Sequence, residues 1–222
     1  MKKSKDNNPI PVDIRFAALA VDVVCFCVTE GKLEVLLGEV TSDNTFKGQL
    51  AHIGGLIHVD ETAEQSVDRL LRDKGGIQDI YKEQLYTFSE IDRDPRGRVV
   101  AVAYLGFINS KSEQNVEKAK TPTVWKSAYS VGKLAYDHNK ITDVAIERLR
   151  SKIIYTDIAK HLMPKEFTLS DLQKTYEAIL GESMDKRNFR KRILSLGLLK
   201  DTKRTIKKGV MRPAALYCFK TQ

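Results

Sequence analysis

Three arginines crowd one turn-prone stretch of the chain, where they could bind an anionic or hydroxylated ligand. Arg93, Arg96 and Arg98 alternate there with two aspartates, a proline and a glycine. A guanidinium group donates hydrogen bonds in a fork, so these side chains could hold phosphate or sugar oxygens. The same arginines could instead pair with the neighbouring aspartates and stabilise the turn. We predict that all three contact a small-molecule ligand, together with His52 and Glu61, which flank the glycine pair Gly54-Gly55.

A second group of residues is suited to binding nucleic acid. The stretch from Lys186 to Arg192 carries five basic residues, and helical spacing places Phe189 and Ile193 on the opposite, apolar face. Arginine can donate two hydrogen bonds to guanine, while lysine supplies charge next to phosphate. The predicted DNA-binding residues are Lys186, Arg187, Asn188, Arg190, Lys191, Arg192, Lys207, Lys208 and Arg212. The alternative is a solvated basic helix that has no partner.

The charge of the chain is concentrated in its last third. The 222 residues have a formal net charge of +8, and residues 156–222 contain 15 Lys and Arg against 7 Asp and Glu. Residues 1–155 are therefore balanced in charge. A neutral body followed by a basic segment indicates that the two parts have different partners, with a polyanion as the partner of the second.

The pattern of residues 1–155 predicts a body that mixes strands and helices. A helix is predicted over Thr62–Lys74, where Thr62 and Gln65 match a capping box and Gly75-Gly76 ends the helix. A second helix is predicted over Thr142–Lys152. The predicted strands are Phe16–Val28, Lys32–Leu37, Leu85–Ile91 and Val99–Ile108.

Residues 156–222 have a different pattern, which is typical of a winged helix-turn-helix. Thr168 is the predicted N-cap of one helix and Asp185 of the next, and Gly181 and Gly197 follow their ends. A basic hairpin that ends in the strand Ala214–Phe219 completes the pattern.

Composition excludes several classes of protein. Hydrophobic residues make up 42% of the chain, enough for a folded core. The longest apolar stretch is interrupted by Asp22 and is too short to span a bilayer, so we expect no membrane segment and a cytoplasmic location. Cys25, Cys27 and Cys218 form no Cys-x-x-Cys pair, and we predict neither a disulfide nor a metal site.

The segment from Gly55 to Ile77 resembles the Nudix box, G-x5-E-x7-R-E-U-x-E-E-x-G-U, in which U is apolar. Gly55, Glu61, Arg69, Gly76 and Ile77 match this signature, as does Leu71. The resemblance implies a Nudix fold around a pocket that binds phosphorylated compounds.

The residues that would hold the metal in a Nudix hydrolase are mostly replaced. Leu70, Asp73 and Lys74 stand where the family has three glutamates. Clustered carboxylates on one helix hold Mg²⁺, which neutralises phosphate charge and orients water. Leucine cannot bind a metal ion, and lysine brings a positive charge to a cation site. We therefore predict no catalytic residues, no cofactor and no hydrolysis.

The whole chain, from about Asp13 to Phe219, resembles the Nudix-related transcriptional regulators, whose best-known members control NAD metabolism. The shared segments beyond the box are Asp92–Arg98, Leu134–His138, Phe167–Leu169, Asn188–Arg192 and Arg212–Tyr217. The resemblance implies an α+β architecture: a Nudix-like α/β/α sandwich over residues 1–155, followed by a winged helix-turn-helix over 156–222. It also implies a homodimer on a palindromic DNA operator and an effector such as ADP-ribose or a related nucleotide or sugar. The expected function is that of a DNA-binding regulator, more specifically a repressor.

Two other functions stay open at the level of the sequence. Glu61 and Asp73 could hold a metal with help from residues outside the box, which would make the chain an active hydrolase of a nucleoside diphosphate compound with an accessory basic domain. Alternatively, the winged helix could bind a protein partner rather than DNA.

Overall fold

The computed structural model describes residues 17–41, 44–109, 119–207 and 213–220. Among the described residues, the first part of the chain forms a mixed β-sheet. Its strands are β1 (Ala18–Thr29), β2 (Lys32–Glu39), β3 (Leu50–Ala51), β4 (Ile53–Leu56), β5 (Tyr81–Phe88), β6 (Val99–Ile108) and β7 (Thr123–Ser127).

The long strand β1 lies at the centre of this sheet. It pairs in parallel with β6 from Ala18 to Cys27, and antiparallel with β4 near its start and with β2 near its end. β5 pairs with β6, while β3 and β7 both pair with β2. The four predicted strands are confirmed, although β5 begins four residues before the predicted Leu85 and ends at Phe88 rather than Ile91. β3, β4 and β7 are not predicted, because strands of two to five residues carry little periodicity.

Two helices cover opposite faces of the sheet. They are α1 (Ala63–Leu70), which continues as a π-helical turn over Leu71–Gly75, and α2 (His138–Tyr155). Along β1, Val23 and Cys25 pack with α1, whereas Val24 and Phe26 pack with α2. This alternation confirms the predicted α/β/α layering, because successive strand side chains point to opposite faces.

Both helix predictions needed adjustment at their ends. The capping box of Thr62 and Gln65 is present, and Gly76 ends the segment with a left-handed φ of 65°. The regular helix, however, stops at Leu70 rather than Lys74. The second helix begins four residues before the predicted Thr142 and ends three residues after Lys152.

The last part of the chain has the predicted winged helix-turn-helix. A short 3₁₀ turn (Ile158–His161) leads to β8 (Phe167–Thr168), α3 (Leu169–Leu180), α4 (Lys186–Ser195), β9 (Leu199–Ile206) and β10 (Ala214–Phe219). β10 pairs antiparallel with both β8 and β9. Thr168 caps α3 with Asp171 at the third position, and the Asp185 side chain accepts from the Asn188 N–H at the start of α4.

One continuous apolar core joins the two parts. It runs from Val24 and Phe107 in the sheet, through Leu149 of α2, to Leu172 of α3 and Phe189 of α4. Polar contacts reinforce the junction: the Arg150 side chain and the Tyr129 hydroxyl both donate to the Ile179 carbonyl at the end of α3. Among the described helices, none is both long and apolar enough to cross a bilayer.

Candidate functional site

A cavity of about 230 Å³ opens between the glycine pair of β4, the arginine-rich turn and the start of α2. The sheet brings these parts together. β4 pairs with one edge of β1 near its start, β6 pairs with the other edge, and residues 92–98 immediately precede β6. The ionisable residues that line it are Asp22, Glu39, His52, Lys74, Arg93, Asp94, Arg96 and His138.

Arg93 is the centre of a buried ion-pair network in the wall of this cavity. Its guanidinium donates to both carboxylate oxygens of Asp137, at 2.7 and 3.1 Å, and to Asp22 at 3.2 Å. Burial raises the pKa of the Asp22 carboxyl, and the positive charge of Arg93 opposes that effect. Asp137 directly precedes α2, so the network ties the cavity wall to the first turn of that helix.

Two stacked histidines extend the network inward. The backbone N–H of His52 donates to the ring Nδ1 of His138 at 2.8 Å. The ring Nε2 of His52 lies 2.8 Å from the Thr142 hydroxyl. That hydroxyl itself donates to the His138 carbonyl, so it accepts from a protonated Nε2 of His52. The buried Nδ1 of His52 is then an acceptor without a partner among the described residues.

The histidine pair predicts a loss of stability in acid. Burial lowers the pKa of His52 to about 3 and that of His138 to about 4, from an ordinary value of 6.5. The unfolded chain therefore takes up protons below about pH 6.5 that the folded chain excludes. The free energy of unfolding should fall by about 1 kcal/mol per pH unit for each histidine as the pH drops from 6.5 towards 4.

Denaturant titrations at several pH values measure this slope. His52→Gln should reduce it, while the matched change His58→Gln, at an exposed side chain outside the network, should not. Equal slopes for wild type and His52→Gln would contradict the assignment.

Two further cations, Lys74 and Arg96, line the cavity. The Lys74 ammonium donates to the Gly54 carbonyl at 2.8 Å, and burial lowers its pKa. Arg96 pairs with the buried carboxylate of Asp94, and its guanidinium lies 5.2 Å from the centre of the Tyr136 ring. The site therefore offers positive charge and an aromatic face, which suit a phosphorylated ligand with a ring.

The structure brings together three of the five residues predicted to bind the effector. His52, Arg93 and Arg96 line the cavity. Glu61 does not line it, because its carboxylate is bound by Arg69 and by the His58 N–H. Arg98 also lies elsewhere and donates to two carbonyls of the preceding loop. Effector roles for all five residues stay predictions.

Sequence reasoning missed much of the cavity wall. The local pattern marks Asp22 only as a polar interruption in a strand, and it gives no indication that Tyr136 and His138 line a cavity. The sequence contains one indication of the cavity wall: Lys74 stands at a glutamate position of the Nudix box, and it lines the cavity.

The remains of the Nudix box do not fit a magnesium ion. Leu70 is buried in the apolar cluster beneath β4, and Asp73 pairs with Arg72 and Lys120. The described residues contain no cluster of three or more His, Cys, Asp or Glu side chains that could hold a metal. An ammonium group occupies the cavity side of the helix, where a cation would be repelled.

The second candidate surface is α4. Phe189 and Ile193 anchor the helix in the core, with the Phe189 ring edge-on to Tyr176. All six predicted DNA-binding residues of α4 are exposed to solvent: Lys186, Arg187, Asn188, Arg190, Lys191 and Arg192. Lys207 is exposed at the end of β9, whereas Lys208 and Arg212 lie outside the described residues.

Comparison with known proteins identifies the family to which the chain belongs. Residues 159–219 match the family model of the NrtR DNA-binding winged helix domain. The chain is 35% identical, over 92% of its length and 82% of the relative's, to the ADPR responsive transcriptional repressor NtrR of Acinetobacter baylyi. The chain belongs to the NrtR family.

Solved structures from this family agree with the whole fold. Shewanella oneidensis NrtR complexed with a 27mer DNA superposes with a TM-score of 0.80 at 34% identity, covering 91% of this chain and 93% of that one. The Nudix domain of the same NrtR complexed with ADP ribose gives a TM-score of 0.56 at 33% identity, covering 64% and 94%. These matches confirm the predicted Nudix-like sandwich with a winged helix.

Proposed function

We propose that this protein is a DNA-binding transcriptional repressor whose cavity binds ADP-ribose or a related nucleotide or sugar, and that this binding changes its affinity for an operator. The effector unit is residues 1–155 and the DNA-binding unit is residues 156–222. The observation that carries the proposal is that α2 joins the two sites: its first residue, His138, lines the cation-lined cavity, and its apolar side chains share one core with Phe189 of the exposed basic helix. The cytoplasmic location predicted from the sequence is part of the proposal.

Helix α2 is the element through which the cavity can act on the winged helix. Its first turn adjoins Arg93 through Asp137, and farther along Arg150 donates to the end of α3 at 3.1 Å. A ligand that contacts Arg93 can therefore favour one position of α2, and with it one position of α4. Such a ligand shifts DNA affinity only by its differential affinity for the two positions, typically about 1–3 kcal/mol.

A homodimer completes the proposal. Two copies of α4 would enter successive major grooves of a palindromic operator, about 34 Å apart. If each dimer neutralises roughly eight phosphates, the logarithm of the binding constant should fall with the logarithm of the salt concentration at a slope near −7.

Fluorescence anisotropy with operator DNA tests the proposal directly. Affinity should depend steeply on salt and should change by about 5- to 150-fold on saturation with ADP-ribose. A slope near zero would reject DNA binding and favour a protein partner. An affinity that ADP-ribose, related nucleotides and free sugars all leave unchanged would reject the effector role.

We further propose that the protein does not hydrolyse its effector, because the box offers no carboxylate cluster for a metal. Incubation with Mg²⁺ and ADP-ribose should yield no product above background. Turnover that is lost on Glu61→Gln would instead support the hydrolase.

A further inference from the structure

A phosphorylated effector brings negative charge into the cavity, and a Nudix hydrolase would neutralise that charge with metal ions. Here the box does not fit a metal. We propose that the Lys74 ammonium takes the place of the metal and binds the diphosphate of an ADP-ribose-like effector, so that binding needs no divalent cation. This inference rests on the proposed function, since it assumes that the ligand of the cavity carries a diphosphate.

The pairing of the cavity's cations singles out Lys74. Arg93 is shared between Asp22 and Asp137, and Arg96 is held by Asp94. Within the described parts of the chain, by contrast, no carboxylate lies within salt-bridge distance of the Lys74 Nζ. The ammonium has three N–H donors, of which the Gly54 carbonyl takes one. Two donors are then available to ligand oxygens.

Lys74 has space for a ligand beside it because it lines the cavity of about 230 Å³, together with Gly54 and Gly55. A Cβ at position 55 would lie 3.1 Å from the Leu70 side chain and 3.4 Å from the Lys74 Nζ. The glycine therefore lets the Lys74 ammonium pack closely against β4 at the cavity wall. Burial already lowers the pKa of this lysine, which means that its charge is incompletely compensated in the fold. An incoming anion would supply the missing compensation.

The acidic residue left in the box cannot compete for this role. Asp73 lies one position before Lys74, but its carboxylate pairs with Arg72 at 3.2 Å and with Lys120 at 3.6 Å. It does not line the cavity. A metal bound between Asp73 and the diphosphate would also have to displace the ammonium of Lys74.

Isothermal titration with ADP-ribose, in buffer with EDTA and in buffer with Mg²⁺, tests the inference. The wild-type Kd should agree within about 2-fold between the two buffers. Lys74→Met should weaken binding by about 10- to 100-fold in both, the effect expected for losing hydrogen bonds to a charged group. Lys74→Glu, which restores the carboxylate of the Nudix box, should weaken binding in EDTA at least as much.

The matched control is Lys82→Met. Lys82 pairs with Asp68 of α1 and does not line the cavity, so this change should leave the Kd as in wild type. Circular dichroism melts of each variant check the fold, and Lys74→Gln replaces Lys74→Met if the latter does not fold.

Two results would overturn the inference: a wild-type Kd that depends at least about 10-fold on Mg²⁺, or a folded Lys74→Met variant that binds like wild type. If wild type binds no ADP-ribose in either buffer, the proposed effector is wrong, and inorganic pyrophosphate becomes the probe. Pyrophosphate binding in EDTA that is lost in Lys74→Met would still support the role of Lys74, and absence of such binding would reject it.

Discussion

Replacing Arg190 and Lys191 together by alanine should lower operator affinity by at least about 30-fold and leave the fold unchanged. Both side chains are exposed on α4, whose attachment to the core depends instead on Phe189 and Ile193. An arginine that donates hydrogen bonds to a base contributes about 1–3 kcal/mol to the free energy of DNA binding, and a lysine that contacts a phosphate adds to that contribution. Each 1.4 kcal/mol is tenfold in affinity.

Anisotropy with labelled operator measures the effect, and a thermal melt confirms that the double variant is folded. The control is Lys133→Ala with Arg148→Ala, which removes the same two charges from exposed positions of the effector unit. That variant should bind within about 3-fold of wild type, because surface charges far from the DNA are screened by salt. Equal losses in the two variants would show that net charge, not α4, determines binding.

The second large effect is expected from Arg93→Ala, which should lower the free energy of unfolding by about 3–5 kcal/mol. The change leaves the buried Asp22 and the half-buried Asp137 carboxylate without their shared partner. Breaking a buried ion pair from one side costs about this much, because the remaining charge is desolvated and uncompensated.

The loss of stability in Arg93→Ala should depend on pH in a defined direction. Burial already raises the pKa of Asp22 above its ordinary value, and removal of Arg93 takes away the main opposing influence. A raised folded-state pKa destabilises the fold as the pH rises from the unfolded value of 3.8 through the folded one. The deficit of Arg93→Ala relative to wild type should therefore be largest at neutral pH and shrink in acid.

Denaturant unfolding at neutral and acidic pH measures both effects. Arg98→Ala is the control from the same turn. The Arg98 side chain is exposed and, among the described residues, its hydrogen bonds go to two loop carbonyls, so the change should cost no more than about 1 kcal/mol. Adding Asp22→Asn to Arg93→Ala should restore part of the stability, since it removes one of the stranded charges. A deficit below about 1 kcal/mol for Arg93→Ala would contradict the buried network.

The local signals in the sequence were sufficient for the winged helix. The capping pairs at Thr168 and Asp185 act over three residues, and the apolar face of α4 repeats every three to four residues. Because these signals depend on neighbours along the chain, they predicted both helices, their glycine ends and the exposed basic face. The Nudix signature likewise predicted the sandwich from a short ordered pattern of glycines, Glu61 and Arg69.

Other features of the site arise only in three dimensions. From the sequence, Arg93 could contact either a ligand or the neighbouring aspartates, yet its partners Asp22 and Asp137 lie 71 and 44 residues away. Which carboxylate meets a guanidinium depends on the register between β1 and β6 and on where α2 begins. Neither the strand register nor the first residue of α2 can be predicted from the composition of a short segment.

The two-part architecture, the basic helix and the loss of the metal-binding glutamates could all be inferred from the order of residues, since each depends on residue type at a short spacing. The fold, by contrast, places Lys74 in the lining of the cavity and leaves Glu61 and Arg98 outside that lining. Burial, ion pairing and cavity walls are made by segments that are distant in the chain, and folding alone brings those segments into contact.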